Sequence, residues 1–363
     1  MIIAAWFVIG FTLYQFLVVL ANLFMKVKLN KQNTDFTGLV SVLIPARNEE
    51  LNIEFILADL QKQDYKNIEI LVFDDQSTDK TGEIVRQCME QDNRIKLIES
   101  DGLPSGWLGK NHACHELSKQ ANGKYFLFLD ADVRLSKDII LQSIANSEKH
   151  NLGLLSIFPT QEMQTPGEWI TVPNMNFILL SLLPLILVRK TKYQSLSAAN
   201  GQFMLFKADN YQPVWPHEKM KGNKVEDIEI ARYYKQLNIP IVCTTGDERI
   251  SCRMYTGFSE AVDGFSKNVV SFFGNSFVLA FLFWLITTFG FIVVYPGAGI
   301  SAFILYLILL VGIRIIISTI SRQNVFINLL LFIPQQLTLG FILLKALSRK
   351  LKNEYQWKGR NIS

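Results

Sequence analysis

Asp130 and Asp132 close a short apolar run, Phe126-Leu127-Phe128-Leu129, and carry the plainest chemical potential in the chain. The run reads as a buried strand. Carboxylates two positions apart on extended chain point to one side. At a strand end they suit a hard divalent cation, Mg²⁺ or Mn²⁺, that also takes a phosphate oxygen. A bare turn can also be spelled Asp-x-Asp, so the pair gains meaning from its company. Three other loops carry polar groups: Pro45-Ala46-Arg47-Asn48-Glu49-Glu50, the stretch Asp74-Asp75-Gln76-Ser77-Thr78-Asp79-Lys80-Thr81, and Gly106-Trp107-Leu108-Gly109-Lys110. Acids can accept from a base N–H and from ribose hydroxyls, while a lysine and a cation offset two phosphates; a nucleoside diphosphate needs these groups. Taken singly, Asp74-Asp75 could be surface turn acids and Lys110 a solvated helix start. Glu226 and Asp227 add two acids at the head of a later helical stretch.

These groups meet only if the elements before them run the same way. Leu39–Pro45, Ile68–Phe73, Ile95–Glu99 and Tyr125–Leu129 read as strands. Helices are expected over about 49–61, capped by Asn48, over Thr78–Gln91, opened by Thr78 or Asp79, and from Lys110. Alternation of this kind predicts an α/β fold with a mostly parallel sheet and helices on both faces. Ligands then collect beyond the carboxyl ends of the strands, and all four loops share that rim. No GxGxxG follows the first strand, which argues against a dinucleotide fold. Further on, a helix is expected over about 136–149, strands over Leu152–Ile157 and Ile239–Cys243, a small-residue turn into a strand over Ala198–Phe206, a helix over Val225–Gln236 and an amphipathic helix over Phe258–Val270.

The ends of the chain differ from its middle. Hydrophobic residues make up 49% of the 363, too many for an ordinary soluble enzyme, and the excess lies outside 38–265. Ile2–Met25 is long enough to span a bilayer and lacks the marks of a cleaved leader, so it reads as an N-terminal transmembrane anchor over 1–25. Lys26, Lys28 and Lys31 follow, which puts that side in the cytoplasm; Asn30–Gly38 reads as a linker. Residues 38–270 form the expected cytoplasmic catalytic domain, 271–345 the C-terminal membrane segments and 346–363 a basic tail. Ser276–Tyr295 and Ile300–Ile320 read as spans joined by a tight turn at Gly297–Ser301. Val325–Leu344 is a third, weakened by Pro334, Gln335 and Gln336. Four crossings would place Lys345, Arg349, Lys350, Lys352, Lys358 and Arg360 outside, against the positive-inside rule, so one segment is expected not to cross, with Val325–Leu344 the most polar candidate. Phe177–Val188, broken by Pro184, reads as an interfacial segment against lipid, with a buried core helix as the alternative. A net charge of +4 set beside apolar segments fits a membrane surface, not nucleic acid. The four cysteines form no CxxC pair, and the cluster His112, Cys114, His115 reads as helix packing more than as a metal site.

The strings PARNEE, DDQSTDKT and DAD, in this order and spacing, resemble the inverting family 2 glycosyltransferases of GT-A fold over roughly residues 39–270. GWLGKNHAC, the Arg253-Met254-Tyr255 run leading to Gly264-Phe265-Ser266-Lys267-Asn268, and Trp357-Lys358-Gly359-Arg360 are similar to the membrane glycosyltransferases of carotenoid and hopanoid pathways. The resemblance implies a metal-dependent hexosyltransferase of the cell membrane, multi-pass, that moves a sugar, glucose by likeness, from a UDP-sugar to a lipidic acceptor such as a carotenoid carboxylate or hydroxyl. It implies that Asp74 or Asp75 binds the uracil, with Ala46 and Glu49 near base and ribose, Lys110 by the diphosphate, and Asp132 with Asp130 on the metal. The family's general base falls at Glu226-Asp227, with Asp227 favoured and Glu226 in play. A polyprenyl-phosphate sugar transferase shares every donor-side motif. A polysaccharide synthase would carry Gln-x-x-Arg-Trp, where this chain reads Asp263-Gly264-Phe265-Ser266-Lys267. An inactive membrane-attached nucleotide-sugar-binding module is the non-enzyme alternative; a large polar domain with so few spans makes a transporter a poor reading.

Overall fold

The computed structural model describes residues 1–27, 29, 34–352, 356, 357, 360 and 361. Lys28, Lys31, Lys358 and the rest of the expected linker at 30–33 lie outside the described residues, as does the side chain of Arg360. Two compact units emerge. One comprises Val27–Thr160 and Val188–Cys252; the other comprises Met1–Lys26, Gln161–Leu187 and Arg253–Ser363.

The first unit is built on a seven-stranded sheet. Its strands are β1 Val40–Ala46, β2 Ile68–Asp74, β3 Ile95–Glu99, β4 Tyr125–Leu129, β6 Leu154–Phe158, β7 Phe203–Lys207 and β8 Ile241–Thr245, and a short strand β5, Val133–Leu135, lies apart from the sheet. The order is β3-β2-β1-β4-β7-β6-β8. β1 is parallel to β2 and β4, β2 to β3, and β6 to β8, while β7 alone runs antiparallel to both its neighbours. The mostly parallel α/β expectation therefore holds. Continuous apolar runs make such strands because both of their faces are covered. Leu127 and Leu129 join Val42, Ile44 and Val72 beneath helical residues Ile53, Ile56, Val85 and Ile140. On the opposite face Phe128 meets Phe206, Tyr211 and His217 at ring centroids of 5.5, 5.5 and 4.5 Å. Phe128 is 2% exposed, and Phe128→Ala should cost about 3–5 kcal/mol.

Three helices start later than their polar leaders suggest: Ile53–Gln61, Thr81–Gln91 and Ile139–His150. The polar side chains have other work. Asn48 takes φ 54° and its Oδ1 accepts from Thr78 N at 2.9 Å, so it does not cap the helix after it. Asp79 accepts from Glu50 N and Thr81 N, each at 3.0 Å, and Glu50 accepts from Lys80 N at 3.1 Å. The loops after β1 and β2 are thus tied to each other. Ahead of the third helix, Val133–Leu135 forms β5, which the sequence reading passed over; it pairs antiparallel with β9, Ile250–Cys252.

The second unit is helical. Ile2–Met25 and Phe277–Ile320 are long and apolar enough, by length and composition, to cross a membrane; no other helix among the described residues is. The longer one is bent: Gly299 takes φ 82° and ψ 173° just after Pro296. The two arms fold back on each other, since a Cβ on Gly290 would lie 2.9 Å from the Tyr306 hydroxyl. The tight turn expected at Gly297–Ser301 is therefore present. Phe177–Leu180 are buried in the helix Pro173–Leu182, which contradicts a lipid-facing interfacial segment. The physical reason is Pro184, whose break is caught by Asn22. Asn22 donates to Leu180 O and Leu183 O at 2.9 Å each and accepts from Leu185 N at 2.7 Å, so the freed backbone groups are paired inside protein.

Candidate active site

Register places the candidate groups at one rim. Ala46 pairs with Asp74, and Asp74 with Glu99. Leu43 pairs with Phe128, so the chain leaves β4 for Asp130 at the level where β1 ends. Within that rim the structure brings Lys110, Asp130, Asp132, Glu226 and Asp227 together. Lys110, in the first turn of the helix Gly109–Gln120, sets its Nζ 2.6 Å from Asp130 Oδ1, 2.9 Å from Oδ2 and 3.7 Å from Glu226 Oε1. Burial works against this ammonium, but Asp130 and Glu226 outweigh it and raise its pKa, so Lys110 stays charged.

Asp132 is set differently. The β5–β9 pairing places Cys252 opposite Val133, and the Cys252 thiol hydrogen-bonds the Asp132 carboxylate. Its Oδ1 is buried with no hydrogen-bond partner. Burial first, then the charges of Asp130 and Glu49, push its pKa up to about 7. A buried carboxylate oxygen left unpartnered is costly, and a cation would relieve it. Among the described residues no group of three or more His, Cys, Asp or Glu side chains forms a ready-made cage. Two hard carboxylates with room for substrate oxygens still fit a Mg²⁺- or Mn²⁺-type ion. Asp132 is the better-placed ligand, because both oxygens of Asp130 already face Lys110.

Glu226 and Asp227 open the helix Glu226–Gln236. Asp227 is tied down: Oδ2 accepts from Gly201 N at 3.0 Å and Oδ1 from Ile228 N at 2.7 Å. Burial still raises it, against those two hydrogen bonds. Glu226 is raised to about 7 by burial, against the pull of Lys110 and with the push of Asp227. A carboxyl balanced near neutrality in a charged cleft is suited to proton transfer.

The remaining candidates lie at the far side of the same rim. Asp74 Oδ1 accepts from Ser77 N at 2.9 Å, and a Cβ on Gly82 would come within 3.0 Å of Asp74 Oδ2. Asp75 is 2% exposed, and Arg47 reaches it at 3.9 Å. Glu49 N donates to Thr81 Oγ1 at 2.8 Å, and Glu49 Oε2 accepts from Asn52 at 2.9 Å. His112 packs against Phe73 and Trp107 at centroids of 5.8 and 5.5 Å, and Cys114 is buried beside it on the same helix.

Two residues of the cluster escaped the sequence reading. A Cβ on Gly201 would stand 3.1 Å from Lys110 Nζ and 3.4 Å from Glu226 Oε1, so a side chain here would crowd the Lys110–Glu226 pair. The small-residue turn Ala198-Ala199-Asn200-Gly201 was its signal. Cys252 had none, since its place depends on the late β9.

The sequence model of glycosyl transferase family 2 matches residues 41–215. Those residues are a family 2 glycosyl transferase domain. The match takes in the rim loops and Gly201, whereas Glu226, Asp227 and Cys252 lie beyond it. Over 242 residues the chain is 27% identical to 4,4'-diaponeurosporenoate glycosyltransferase of Staphylococcus haemolyticus, covering 66% of this chain and 63% of that one. The protein of the same name from Staphylococcus aureus is 24% identical over 254 residues, 68% of this chain and 65% of that one. The chain thus spans under two thirds of the length of either relative. In fold, the family 2 domain and its helices are similar to the mannosyltransferase PcManGT from Pyrobaculum calidifontis, solved with GDP-Man and Mn²⁺. The TM-score is 0.56 at 16% identity, covering 97% of this chain and 100% of that one.

Proposed function

We propose that this protein is a membrane-bound, metal-dependent glycosyltransferase that moves a hexose from a nucleoside-diphospho-sugar to a lipidic acceptor with inversion. The carrying observation is the cluster of Lys110, Asp130 and Asp132 on the strand-end rim of a family 2 domain, with Glu226 from a following helix beside Lys110. A UDP-sugar donor and a carotenoid carboxylate or hydroxyl acceptor rest on the relatives' names. Asp74, Asp75, Ala46 and Glu49 would take the base and ribose.

The acceptor oxygen attacks the sugar C1, the bond from C1 to the diphosphate oxygen breaks, and its electron pair leaves on the nucleoside diphosphate. Lys110 stabilises that developing charge; loss of one such group costs about 10²–10³ in kcat. A divalent ion held by Asp132, with Asp130, would supply further charge stabilisation to the diphosphate. The proton of a hydroxyl acceptor passes to a carboxylate. The geometry supports Glu226 for this over Asp227, whose oxygens are held by backbone N–H groups. A carboxylate acceptor has no proton to give, and there Glu226 would only orient it.

A lipidic acceptor is supported by an apolar cavity of about 350 Å³ within the helical unit, lined by Trp169, Ile170, Phe258, Ile327, Leu330 and Leu331 among others. Polyprenyl-phosphate acceptors fit the same chemistry. We place the family 2 domain in the cytoplasm from the lysines after Met25. Detergent-purified protein given Mg²⁺ or Mn²⁺, a panel of nucleotide sugars and a bacterial lipid extract should release nucleoside diphosphate in a lipid-dependent way. No release with any donor would leave an inactive nucleotide-sugar-binding module.

A further inference from the structure

Two separate helices, Val325–Leu330 and Phe332–Lys352, expose apolar side chains: Phe326 and Leu330 on the first, Ile333, Leu337, Phe341 and Leu344 on the second, each between 49% and 73% exposed. Spacings of three and four residues put the last four in a stripe on one helical face. The opposite face is buried and partly polar. Gln336 O accepts from Trp284 Nε1 at 2.8 Å, and its Oε1 accepts from Thr288 at 3.0 Å. The far end is basic. Lys345 and Arg349 both reach Asp263, and Lys350 and Lys352 follow, exposed.

We propose that Phe332–Lys352 lies within a single membrane leaflet, its stripe in lipid and its basic end among anionic headgroups, without crossing. This rests on the membrane reading above and goes beyond it in fixing where the chain turns back. Its apolar part, Phe332–Leu344, is about 20 Å long at 1.5 Å per residue, short of the roughly 30 Å of a bilayer core. The other helices supply three crossings. A Cβ on Gly297 would lie 2.7 Å from Ala5 Cβ and 3.1 Å from Met1 O, and one on Gly312 would lie 2.9 Å from the Phe16 ring. The tip of the bent helix therefore stands beside the start of Ile2–Met25, and its two ends return toward Lys26. Residues 321–324 then emerge on the side of Lys26, and an in-leaflet helix keeps the basic tail there, as the positive-inside rule favours. A fourth crossing would reverse it.

The test is labelling of the full chain in right-side-out and inside-out vesicles with a membrane-impermeant maleimide. Cys88→Ser removes the partly exposed cysteine; the other three are buried. Single cysteines are then placed at Arg322→Cys, Lys352→Cys, Leu337→Cys and Ser301→Cys. Arg322→Cys and Lys352→Cys should react from the same side, Leu337→Cys only after SDS, and Ser301→Cys from the opposite side. Opposite-side labelling of Arg322→Cys and Lys352→Cys, or reaction of Leu337→Cys in intact vesicles, overturns the proposal. Ser301→Cys reacting on the same side as Arg322→Cys instead condemns the hairpin crossing on which it rests.

Discussion

Lys110 of the sheet unit and Arg314 of the helical unit are both cations set among protein groups, and the two are treated in opposite ways. Lys110 of the sheet unit faces two acids within 4 Å. Arg314 of the helical unit, 5% exposed, meets no carboxylate among the described residues. Its Nη1 donates to Gln335 Oε1 at 3.1 Å, and its guanidinium lies 3.9 and 4.6 Å over the rings of Phe177 and Phe332. Gln335 in turn donates to Trp169 O at 2.9 Å. Arg314 is thus a packing element held by amides and ring faces. Lys110 belongs to an excess of negative charge, with one oxygen of Asp132, Oδ1, left unpartnered beside it. Where a buried charge is held by an amide and ring faces, it serves the fold. Where acids outnumber the cations, the excess is met by protonation, with Asp132 and Glu226 both pushed up to about 7, or by a bound cation.

The contrast can be broken in four ways. The largest effect is expected at Asp132. Asp132→Asn should abolish nucleotide-sugar turnover, a loss of about 10³-fold or more, while raising thermal stability above pH 7, because a carboxyl pushed up to about 7 by burial resists ionisation there. Loss of both activity and stability would mark the residue as structural. Lys110→Met should cut turnover about 10²–10³-fold and destabilise by about 1–3 kcal/mol by leaving Asp130 and Glu226 without their cation. Adding Asp130→Asn should restore stability but not turnover, which denaturant melts paired with activity would reveal.

Glu226 gives a pH signature. Its pKa is raised from the ordinary 4.5 to about 7, so the folded state binds that proton more tightly than the unfolded one. The resulting stability is fully present below about 4.5 and is lost as pH rises through 7. Glu226→Gln should flatten that loss. If the acceptor is a hydroxyl, kcat/KM should rise tenfold per unit below pH 7 and level off above it, and Glu226→Gln should cost as much as Asp132→Asn. A carboxylate acceptor predicts a flat profile and a smaller loss. The smallest effect belongs to Arg314→Met, which should leave nucleotide turnover unchanged and alter stability less than Lys110→Met, since apolar replacement of a buried ion is often near neutral.

Much of this was legible in the residues. β4 runs over Tyr125–Leu129 as its apolar spelling demands, and the rim loops follow from strands that all point one way. Helix starts were misjudged because Asn48, Thr78 and Asp79 resemble caps, yet their partners are in a neighbouring loop some 30 residues away. Phe177–Val188 looked lipid-facing because nothing in its own spelling announces Asn22, the distant side chain that receives the Pro184 break. Gly201 and Cys252 were missed for the same reason. A glycine in a small-residue turn and a cysteine in a short late strand acquire meaning only when β5 and β9 pair and the helix at Glu226 closes over the turn.

Calorimetric titration with UDP in Mn²⁺ is the most direct test of the central claim that this rim is a nucleoside-diphosphate site. It should be run on the wild type and on Lys110→Met/Asp130→Asn, whose charges are removed as a pair. The wild type should bind UDP, and the double variant should bind at least about tenfold more weakly with its melting curve intact, tenfold being about 1.4 kcal/mol. Equal binding by the two proteins, or none by the wild type, would contradict it.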